Sequence, residues 1–355
     1  DFPSPTLKKP GQSQYVGVNR NTTNTGGTNR SQSYTNGVPT PMKVALVTDI
    51  GGLNDHGYNQ LAYAGYTRAE QQYHFEEQVV QTQSMSDYMN NLTRAAQNAD
   101  LVIATGILME IALDQIAKEF PNKKFALIDG CPIPTDTFTC ETLANVAPLF
   151  FKEREAGCLV GAIAAQIEID GKAKVPKLHG KNTIGAIGAL SIPPINRYIA
   201  GYKFCAQKVD PTINVLVNYS QDFSNTAKCH DLALTQINQH QADVIFQVAA
   251  ACGIGALDAA DQQGVFGIGV DTDESYIHPS IITSAVKRVD NAVFGTITSF
   301  QHKQFTNTPP IFDLAHDGVD YAKVSADVPA DARATADNFK DQIINGTLTL
   351  PANIP

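Results

Sequence analysis

Short apolar runs alternate with helix-length stretches from Met42 onward, and this alternation limits the possible folds more than any other feature of the chain. Strand followed by helix, repeated many times, is typical of a parallel sheet with helices on both faces. At 355 residues the chain exceeds one ordinary core, so we expect two domains. The apolar runs are KVALVTD, ADLVIATG, KKFALIDG, LANVAPLFF, NTIGAIGALS, INVLVNYS, ADVIFQVA, VFGIGVDTD and IITSAVKRV.

Two parts of the chain resemble each other. KVALVTDIGG with LAYAGYTRA, and NTIGAIGALS with RYIAGYKFC, both run from a strand through a polar turn to a helix with an Ala-Gly-Tyr triplet, at Ala64 to Tyr66 and Ala200 to Tyr202. The repeat favours two doubly wound lobes, although chance similarity is the alternative. Ligands of such sheets bind outside the carboxyl ends of the strands, so facing lobes would define one cleft.

Residues 1–42 differ in composition from the rest of the chain. They are rich in Asn, Thr, Ser, Gly and Gln and lack an apolar period, which predicts a disordered polar tether. A flexible segment of this length would reach roughly 35 Å, enough to join a membrane anchor to a folded body. The alternative is an expression remnant or a plain unstructured terminus. The chain begins at Asp1 without a leader, which suits an exported chain whose signal has been removed.

The charge argues against a nucleic-acid partner. The formal net charge is -9, whereas a phosphate backbone requires a concentrated basic face. No apolar run is long enough to span a bilayer. The six Cys show neither a C-x-x-C pair nor a zinc-type spacing, so we expect no metal site and no cofactor. Cys131 and Cys140 bracket the polar loop CPIPTDTFTC, where a disulfide is predicted; reduced thiols are the alternative.

Polar and aromatic residues follow the predicted strands. Asp271 can accept two hydrogen bonds from a vicinal diol, and Lys287 can donate to a ring or hydroxyl oxygen. Tyr58 and Phe223, one from each half, could sandwich an aromatic base. The full set of candidate ligand-binding residues is Asp49, Asn54, Asp55, Tyr58, Asn59, Gly106, Phe223, Gly253, Asp271 and Lys287. Of these, Asp49, Asn54 or Asn59 would read the edge of the base.

Simpler roles are open for several of these residues. Asn54 or Asp55 could cap the following helix, as both residue types often do. Asp271 and Asp273 could form a solvated turn, Phe223 could pack on its own lobe, and Lys287 could be a surface charge. No G-x-S-x-G, H-E-x-x-H or G-x-x-x-x-G-K-[ST] motif occurs, and the glycines of GAIGAL have the wrong spacing for a dinucleotide site, so no catalytic site is predicted.

Six ordered blocks resemble the basic membrane protein family, the substrate-binding lipoproteins of ABC transporters that include purine nucleoside receptors. The blocks are VTDIGGLNDHGYNQLAYAGY, DLVIATGILMEIALDQIAKEFPNKKFALID, FKEREAGCLVGAIAA, DVIFQVAAACGIG, GIGVDTDE and ITSAVKRVDNAV. Members of the nucleoside-receptor kind hold the base between two aromatics and the ribose with Asp and Lys. Asp49, Tyr58, Asn59, Phe223, Gly253, Asp271 and Lys287 fall on matching positions. NDHGYN replaces the commoner DDKSFN type, which leaves the base preference open.

The resemblance implies a type I periplasmic-binding-protein fold, with two doubly wound parallel-sheet lobes joined by a three-crossing hinge. The expected N-terminal lobe is 43–149 plus about 279–305, and the C-terminal lobe is 150–278 plus about 306–355. The function implied is that of a monomeric extracytoplasmic receptor that is tethered to the cytoplasmic membrane, binds nucleosides, with purine nucleosides favoured, and delivers them to an ABC permease. The alternatives are a receptor for a sugar, an autoinducer or another small ligand, or a nucleoside-processing enzyme.

Overall fold

The computed structural model describes residues 41–351. The predicted tether, residues 1–42, lies outside the described residues apart from its last two positions.

The first lobe contains a five-stranded sheet in the order β2-β1-β3-β4-β5, with all neighbouring strands parallel. Alternate residues of its strands enter two different apolar clusters. In β1, Val44 and Leu46 join one cluster, whereas Ala45 and Val47 join the other. Both faces of the sheet are therefore covered, which explains the continuous apolar runs. The strands are β1 (Lys43–Val47), β2 (Glu76–Val80), β3 (Leu101–Thr105), β4 (Lys124–Ile128) and β5 (Val146–Leu149).

The second lobe repeats this strand order and adds one strand. Its sheet runs β11-β10-β9-β8-β6-β7, parallel throughout except for β11, which pairs antiparallel with β10. Both sheets are doubly wound, as predicted, and the carboxyl ends of their strands border one cleft. The strands are β6 (Thr183–Gly188), β7 (Asn214–Tyr219), β8 (Val244–Val248), β9 (Phe266–Asp271), β10 (Ile281–Lys287) and β11 (Val319–Tyr321).

Nine α-helices lie in the described part of the chain. The Ala-Gly-Tyr triplets fall in α1 and α5, the helices that follow the first strand of each sheet. A methyl group on Gly65 would lie 2.2 Å from the carbonyl oxygen of Asp290, and one on Gly201 would lie 2.0 Å from that of Arg154. Both glycines therefore allow close helix packing. The helices are α1 (Tyr58–Tyr73), α2 (Tyr88–Asn98), α3 (Glu110–Glu119), α4 (Glu153–Lys174, kinked at Gly171), α5 (Pro193–Val209), α6 (Thr226–His240), α7 (Ala250–Gln262), α8 (Val289–Gln301) and α9 (Ala330–Ile344).

The chain passes between the two sheets three times, after β5, after β10 and after α8. The predicted lobe boundary at about residue 279 is wrong for one strand. The expected first lobe includes residues 279–305, but β10 pairs in parallel with β9 in the second sheet, and only α8 returns to pack against α1 of the first lobe. An apolar run has the same pattern in either sheet, so its sequence does not show which sheet it joins.

All six cysteines lie in the described residues and form three disulfides, Cys131–Cys140, Cys158–Cys205 and Cys229–Cys252. The predicted Cys131–Cys140 bond is confirmed; the other two join α4 to α5 and α6 to α7. Within residues 41–351, no helix combines the length and apolarity that a membrane span requires.

Candidate ligand-binding cleft

The cleft between the two lobes contains about 610 Å³ of space between protein atoms, including the solvent at its open side. Residues that follow strands of both sheets form its walls, as the topology of doubly wound sheets predicts. Eight of the ten predicted site residues line it. The lining residues are Asp49, Ile50, Asp55, Tyr58, Asn59, Gly106, Ile107, Asp129, Ile192, Pro194, Ile195, Tyr198, Phe223, Val248, Ala250, Val270, Asp271 and Lys287.

Two predicted residues do not line the cleft. Asn54 is exposed in the loop between β1 and α1. Gly253 is buried in α7, where a methyl group would lie 1.8 Å from Oε1 of Gln247. The glycine makes room for Gln247, whose Nε2 donates to the buried Glu274 carboxylate at 2.7 Å. Gly253 therefore serves packing, and Asn54 faces solvent.

Asp49 and Asn59 form one hydrogen-bonded wall in the first lobe. Oδ1 of Asn59 accepts from the Asp49 N–H at 3.0 Å and from the Thr105 hydroxyl at 2.8 Å. The Asp49 carboxylate accepts from the Tyr88 hydroxyl and from the Ile50 N–H. Burial raises the pKa of Asp49 to about 6, although these two donors oppose the shift. Gly106, at φ 111°, lies against Oδ2 of Asp49 and leaves no room for a larger residue.

Asp55 caps α1. Its carboxylate accepts from the backbone N–H groups of Gly57, Asn59 and Gln60 at 2.8 to 3.1 Å, and from Nδ2 of Asn59 at 3.0 Å. These are the N–H groups that a helix start leaves unpaired, so the capping alternative describes Asp55. Burial raises the pKa of Asp55. With four hydrogen bonds already accepted, its main effect at the cleft is to fix Tyr58 and Asn59.

Lys287 carries the charge that holds the two lobes together at the floor of the cleft. Its Nζ lies 2.6 Å from the carboxylate of Asp129, after β4 in the first lobe, and 3.0 Å from Oε1 of Glu153, at the start of α4. Arg197 adds a second cation, with its Nε 2.6 Å from Oε2 of Glu153. Lys287 is only 1% exposed, so it is not the surface charge considered above.

The pKa values of this network follow from burial and from its partners. Burial acts to lower the pKa of Lys287, but Asp129, Glu153 and Asp271 together raise it above its ordinary value. Burial acts to raise the pKa of Glu153, but Lys287 and Arg197 outweigh it and lower that pKa. The lysine and Glu153 therefore stay charged at neutral pH.

Asp271 forms the polar part of the opposite wall. It is 8% exposed, so the solvated-turn alternative applies to Asp273 alone, which is exposed. Its Oδ1 accepts from the Tyr198 hydroxyl at 3.1 Å. Burial raises the pKa of Asp271 to about 7, although Lys287 lowers it in part. Near neutral pH, the Asp271 side chain is therefore present in both its protonated and its charged form.

Tyr58 and Phe223 reach the same cavity from different lobes. Tyr58 is the first residue of α1, and its hydroxyl donates to the carbonyl of Ile128 at 3.3 Å. Phe223 lies in the loop between β7 and α6 and is half-buried, also packing against the apolar cluster of its lobe. The structure thus brings both aromatic residues to the cleft.

The mouth of the cleft is bridged by a residue that the sequence left unexplained. His56, at φ 59° in the β1–α1 loop, has Nδ1 2.9 Å from the hydroxyl of Tyr276 in the β9–β10 loop of the other lobe. A methyl group on Gly57 would lie 3.5 Å from Oδ2 of Asp271. His56 and Gly57 therefore both lie next to residues of the second lobe.

The sequence missed the apolar lining and one acid, Asp129. Ile192, Pro194 and Ile195 come from the loop before α5 and its first turn. Their apolar pattern is the same as that of core residues, so it carries no signal for a cleft. Asp129 directly follows β4, and the strand-end criterion that found Asp49 could have found it too. In the described residues, no group of three or more Asp, Glu, His or Cys side chains is arranged to hold a metal ion.

The cleft offers carboxylates, aromatic faces and apolar walls rather than a paired nucleophile and base. Two doubly wound lobes around such a cleft are the architecture of the type I periplasmic-binding-protein fold. A solved ABC-transporter solute-binding protein of Aeropyrum pernix K1 shares this fold, with a TM-score of 0.79, 24% identity and coverage of 89% of this chain and 94% of that one.

Sequence comparison then gives the family. A model described as ABC transporter substrate-binding protein, PnrA-like (Bmp), matches residues 42–354, so the chain belongs to the Bmp family of ABC transporter substrate-binding proteins. An uncharacterized lipoprotein of Pyrococcus furiosus is 30% identical over 79% of this chain and 70% of its own length. The ABC transporter nucleoside-binding protein BmpA of Lactococcus lactis is 26% identical over 89% of this chain and 90% of its own. The chain is therefore a binding protein and not an enzyme.

Proposed function

We propose that this chain binds nucleosides, purine nucleosides first, in the cleft between its lobes and presents them to an ABC permease. One observation carries the proposal: Tyr58 of the first lobe and Phe223 of the second line the same cavity, together with Asp271. Two aromatic faces suit a planar base, and a buried carboxylate suits a diol. The name of the Lactococcus relative, a nucleoside-binding protein, supports the same ligand class.

The charges around the cleft favour an uncharged ligand. Asp49, Asp55, Asp129, Asp271 and Glu153 face two cations, Lys287 and Arg197, which are already paired with Asp129 and Glu153. A phosphate group would meet this excess of carboxylates without a free cation among the lining residues. We therefore expect nucleosides to bind in preference to nucleotides.

The setting that we propose is extracytoplasmic. The Pyrococcus relative is named a lipoprotein, which supports a lipid anchor on the amino-terminal side of the folded body. Residues 1–42 would then act as the tether to the cytoplasmic membrane, and the monomeric body would close over its ligand before meeting the permease.

Calorimetric titration tests the ligand class. Adenosine, guanosine, inosine, uridine, the free bases, AMP and a panel of sugars are titrated into the full chain after any retained ligand has been removed by unfolding and refolding. We expect heat with purine nucleosides and a much weaker response to AMP. Absence of heat with every nucleoside would contradict the proposal, and heat with a sugar alone would favour the sugar-receptor alternative.

Substitution of the two aromatics separates a stacked base from a small sugar. Tyr58→Ala and Phe223→Ala should each weaken nucleoside binding, because one base–aromatic stack contributes about 1–3 kcal/mol. The matched control is Phe138→Ala, since Phe138 is 68% exposed and lies outside the cleft lining. Equal affinities of the control and the two cleft variants would show that no base is stacked there.

A further inference from the structure

Phe223 lies in a short loop, and the contacts of this loop determine where its ring is presented. Asp222 accepts from the N–H groups of Ser224 and Asn225 at 3.0 Å and from Nζ of Lys228 at 2.9 Å. These bonds shape the loop from within and tie it to the start of α6. They do not tie it to the rest of the cleft wall.

Cys252, which is disulfide-bonded to Cys229, provides an attachment to the helix behind that wall. Cys229 lies in the first turn of α6 and Cys252 in the first turn of α7, and both are fully buried. The N–H of Cys252 donates to the carbonyl of Phe223 at 2.9 Å, and its Sγ lies 3.0 Å from the carbonyl oxygen of Asn225. Cys252 thus contacts both ends of the segment 223–225.

The two helices meet directly behind the cleft. A methyl group on Gly255 in α7 would lie 1.9 Å from the carbonyl oxygen of Thr226, the first residue of α6. Val248 and Ala250, on either side of the start of α7, line the cavity beside Phe223. The disulfide therefore joins the two helix ends that hold the aromatic residue and the adjoining wall.

The other two disulfides lie elsewhere. Cys158–Cys205 joins α4 to α5 within a small apolar cluster that includes Phe339 and Ile343 of α9. Cys131–Cys140 closes a loop of the first lobe with an exposed tip. Cys158–Cys205 is thus a matched control, because it is equally buried and belongs to the same lobe as the bond behind Phe223.

We propose that Cys229 and Cys252 are positioning residues whose disulfide holds the Phe223 ring in its ligand-ready place. The inference rests on the proposed function, in which Phe223 contacts the ligand. Without the bond, the Phe223 loop would sample other arrangements, and binding would have to order it again. Ordering one such side chain typically raises the Kd about threefold to tenfold.

A double-mutant cycle tests this coupling. Four chains are titrated with the best-binding nucleoside. They are the unaltered chain, C229A/C252A, F223A and the combined variant F223A/C229A/C252A. We expect the Kd to rise about threefold to tenfold when the disulfide is removed from the unaltered chain, and less than twofold when it is removed from F223A. C158A/C205A should give the same small factor in both backgrounds. Equal factors for C229A/C252A in both backgrounds would overturn the proposal.

Hydrogen exchange gives a readout that needs no ligand. In C229A/C252A, the amides of residues 221–225 should exchange at least tenfold faster than in the unaltered chain, while those of β8 stay slow. In the unaltered chain, the Cys252 amide should exchange as slowly as β8, and this measurement remains available if C229A/C252A does not fold. A fast Cys252 amide would overturn the positioning role. Altered exchange without nucleoside binding would instead reject the proposed ligand.

Discussion

Two aspartates at the cleft hold a backbone conformation that most residues avoid. Asp129 follows β4 with φ 69°, and Asp271 ends β9 with φ 64°. Left-handed geometry costs non-glycine residues free energy, although Asp tolerates it better than most. The two residues occupy the end of the fourth strand in the shared order of each sheet, so both lobes turn a carboxylate into the cleft in the same way. Such local strain is typical of functional sites.

The raised pKa of Asp271 predicts a pH-dependent stability. Burial raises that pKa from 3.8 to about 7, so the folded chain keeps a proton that the unfolded chain releases between pH 4 and 7. The free energy of unfolding therefore falls as pH rises from 4 to 7, because the unfolded chain releases this proton first. Above pH 7 both states have released it, and the free energy of unfolding no longer depends on Asp271. At about 1.4 kcal/mol per pKa unit, the loss is of the order of a few kcal/mol.

Urea unfolding between pH 4.5 and 8 measures this contribution. D271N should show a smaller fall in the free energy of unfolding with rising pH than the unaltered chain. D273N removes the same charge from an exposed neighbour and should follow the unaltered chain. Parallel curves for D271N and the unaltered chain would contradict the raised pKa.

At the scale of elements, the repeated Ala-Gly-Tyr triplet gains a physical meaning. In α1 and in α5 the glycine lies against the backbone of a neighbouring helix, α8 or α4. The following tyrosines, Tyr66 and Tyr202, are fully buried. In each lobe the helix after the first strand thus packs closely on a helix next to an interlobe crossing, and the triplet is a packing signal rather than part of the cleft.

Alanine at Gly201 should therefore destabilise the chain. The added methyl group would lie 2.0 Å from the Arg154 carbonyl oxygen, so α4 and α5 must separate. We expect a loss of about 1–3 kcal/mol in the free energy of unfolding, as is usual for overpacking. A methyl group added to Gly295 in α8 would have no neighbouring atom within 4 Å. G295A should therefore stabilise the chain by about 0.4–1 kcal/mol. Urea unfolding measures the free energy of unfolding of both variants, which should fall in G201A and rise in G295A. Stabilisation by G201A would refute the packing role.

The sequence predicted the inner strands well because they are buried on both faces. It missed β2, an edge strand in which Glu76 and Glu77 are exposed, and the three-residue β11. Polar site residues were predictable where they directly follow a strand, as Asp49 and Asp271 do. Long-range partners were not: Lys287 binds Asp129 and Glu153 from 158 and 134 positions away. Such pairs become visible only when the lobes are brought together.

At the scale of the whole molecule, two cross-lobe contacts hold the cleft in the arrangement seen here. The Lys287–Asp129 ion pair lies at its floor, beside the crossing that follows β10. The His56–Tyr276 contact lies at its mouth. The floor contact is buried, whereas Tyr276 is 63% exposed, so only the mouth contact can open without uncovering a buried charge.

Removal of the Tyr276 hydroxyl should therefore speed ligand release. A hydrogen bond of this kind contributes about 0.5–1.5 kcal/mol, so Y276F should raise the dissociation rate constant roughly twofold to tenfold. The control is Y73F, which removes a hydroxyl that bonds Thr298 at 3.0 Å between α1 and α8 of the first lobe. Stopped-flow dissociation measures both rates. An unchanged rate for Y276F would show that the mouth contact does not retain the ligand.

The exposed tyrosine at the cleft mouth also gives the molecule an optical use. The sequence contains no tryptophan, so a single indole placed at Tyr276 would be the sole long-wavelength emitter of the chain. Its emission would shift to the blue when the indole packs against His56 of the other lobe, and to the red when the lobes separate and the indole is exposed to water. Opening and closing of the lobes would then be followed in real time on Y276W, without an added dye.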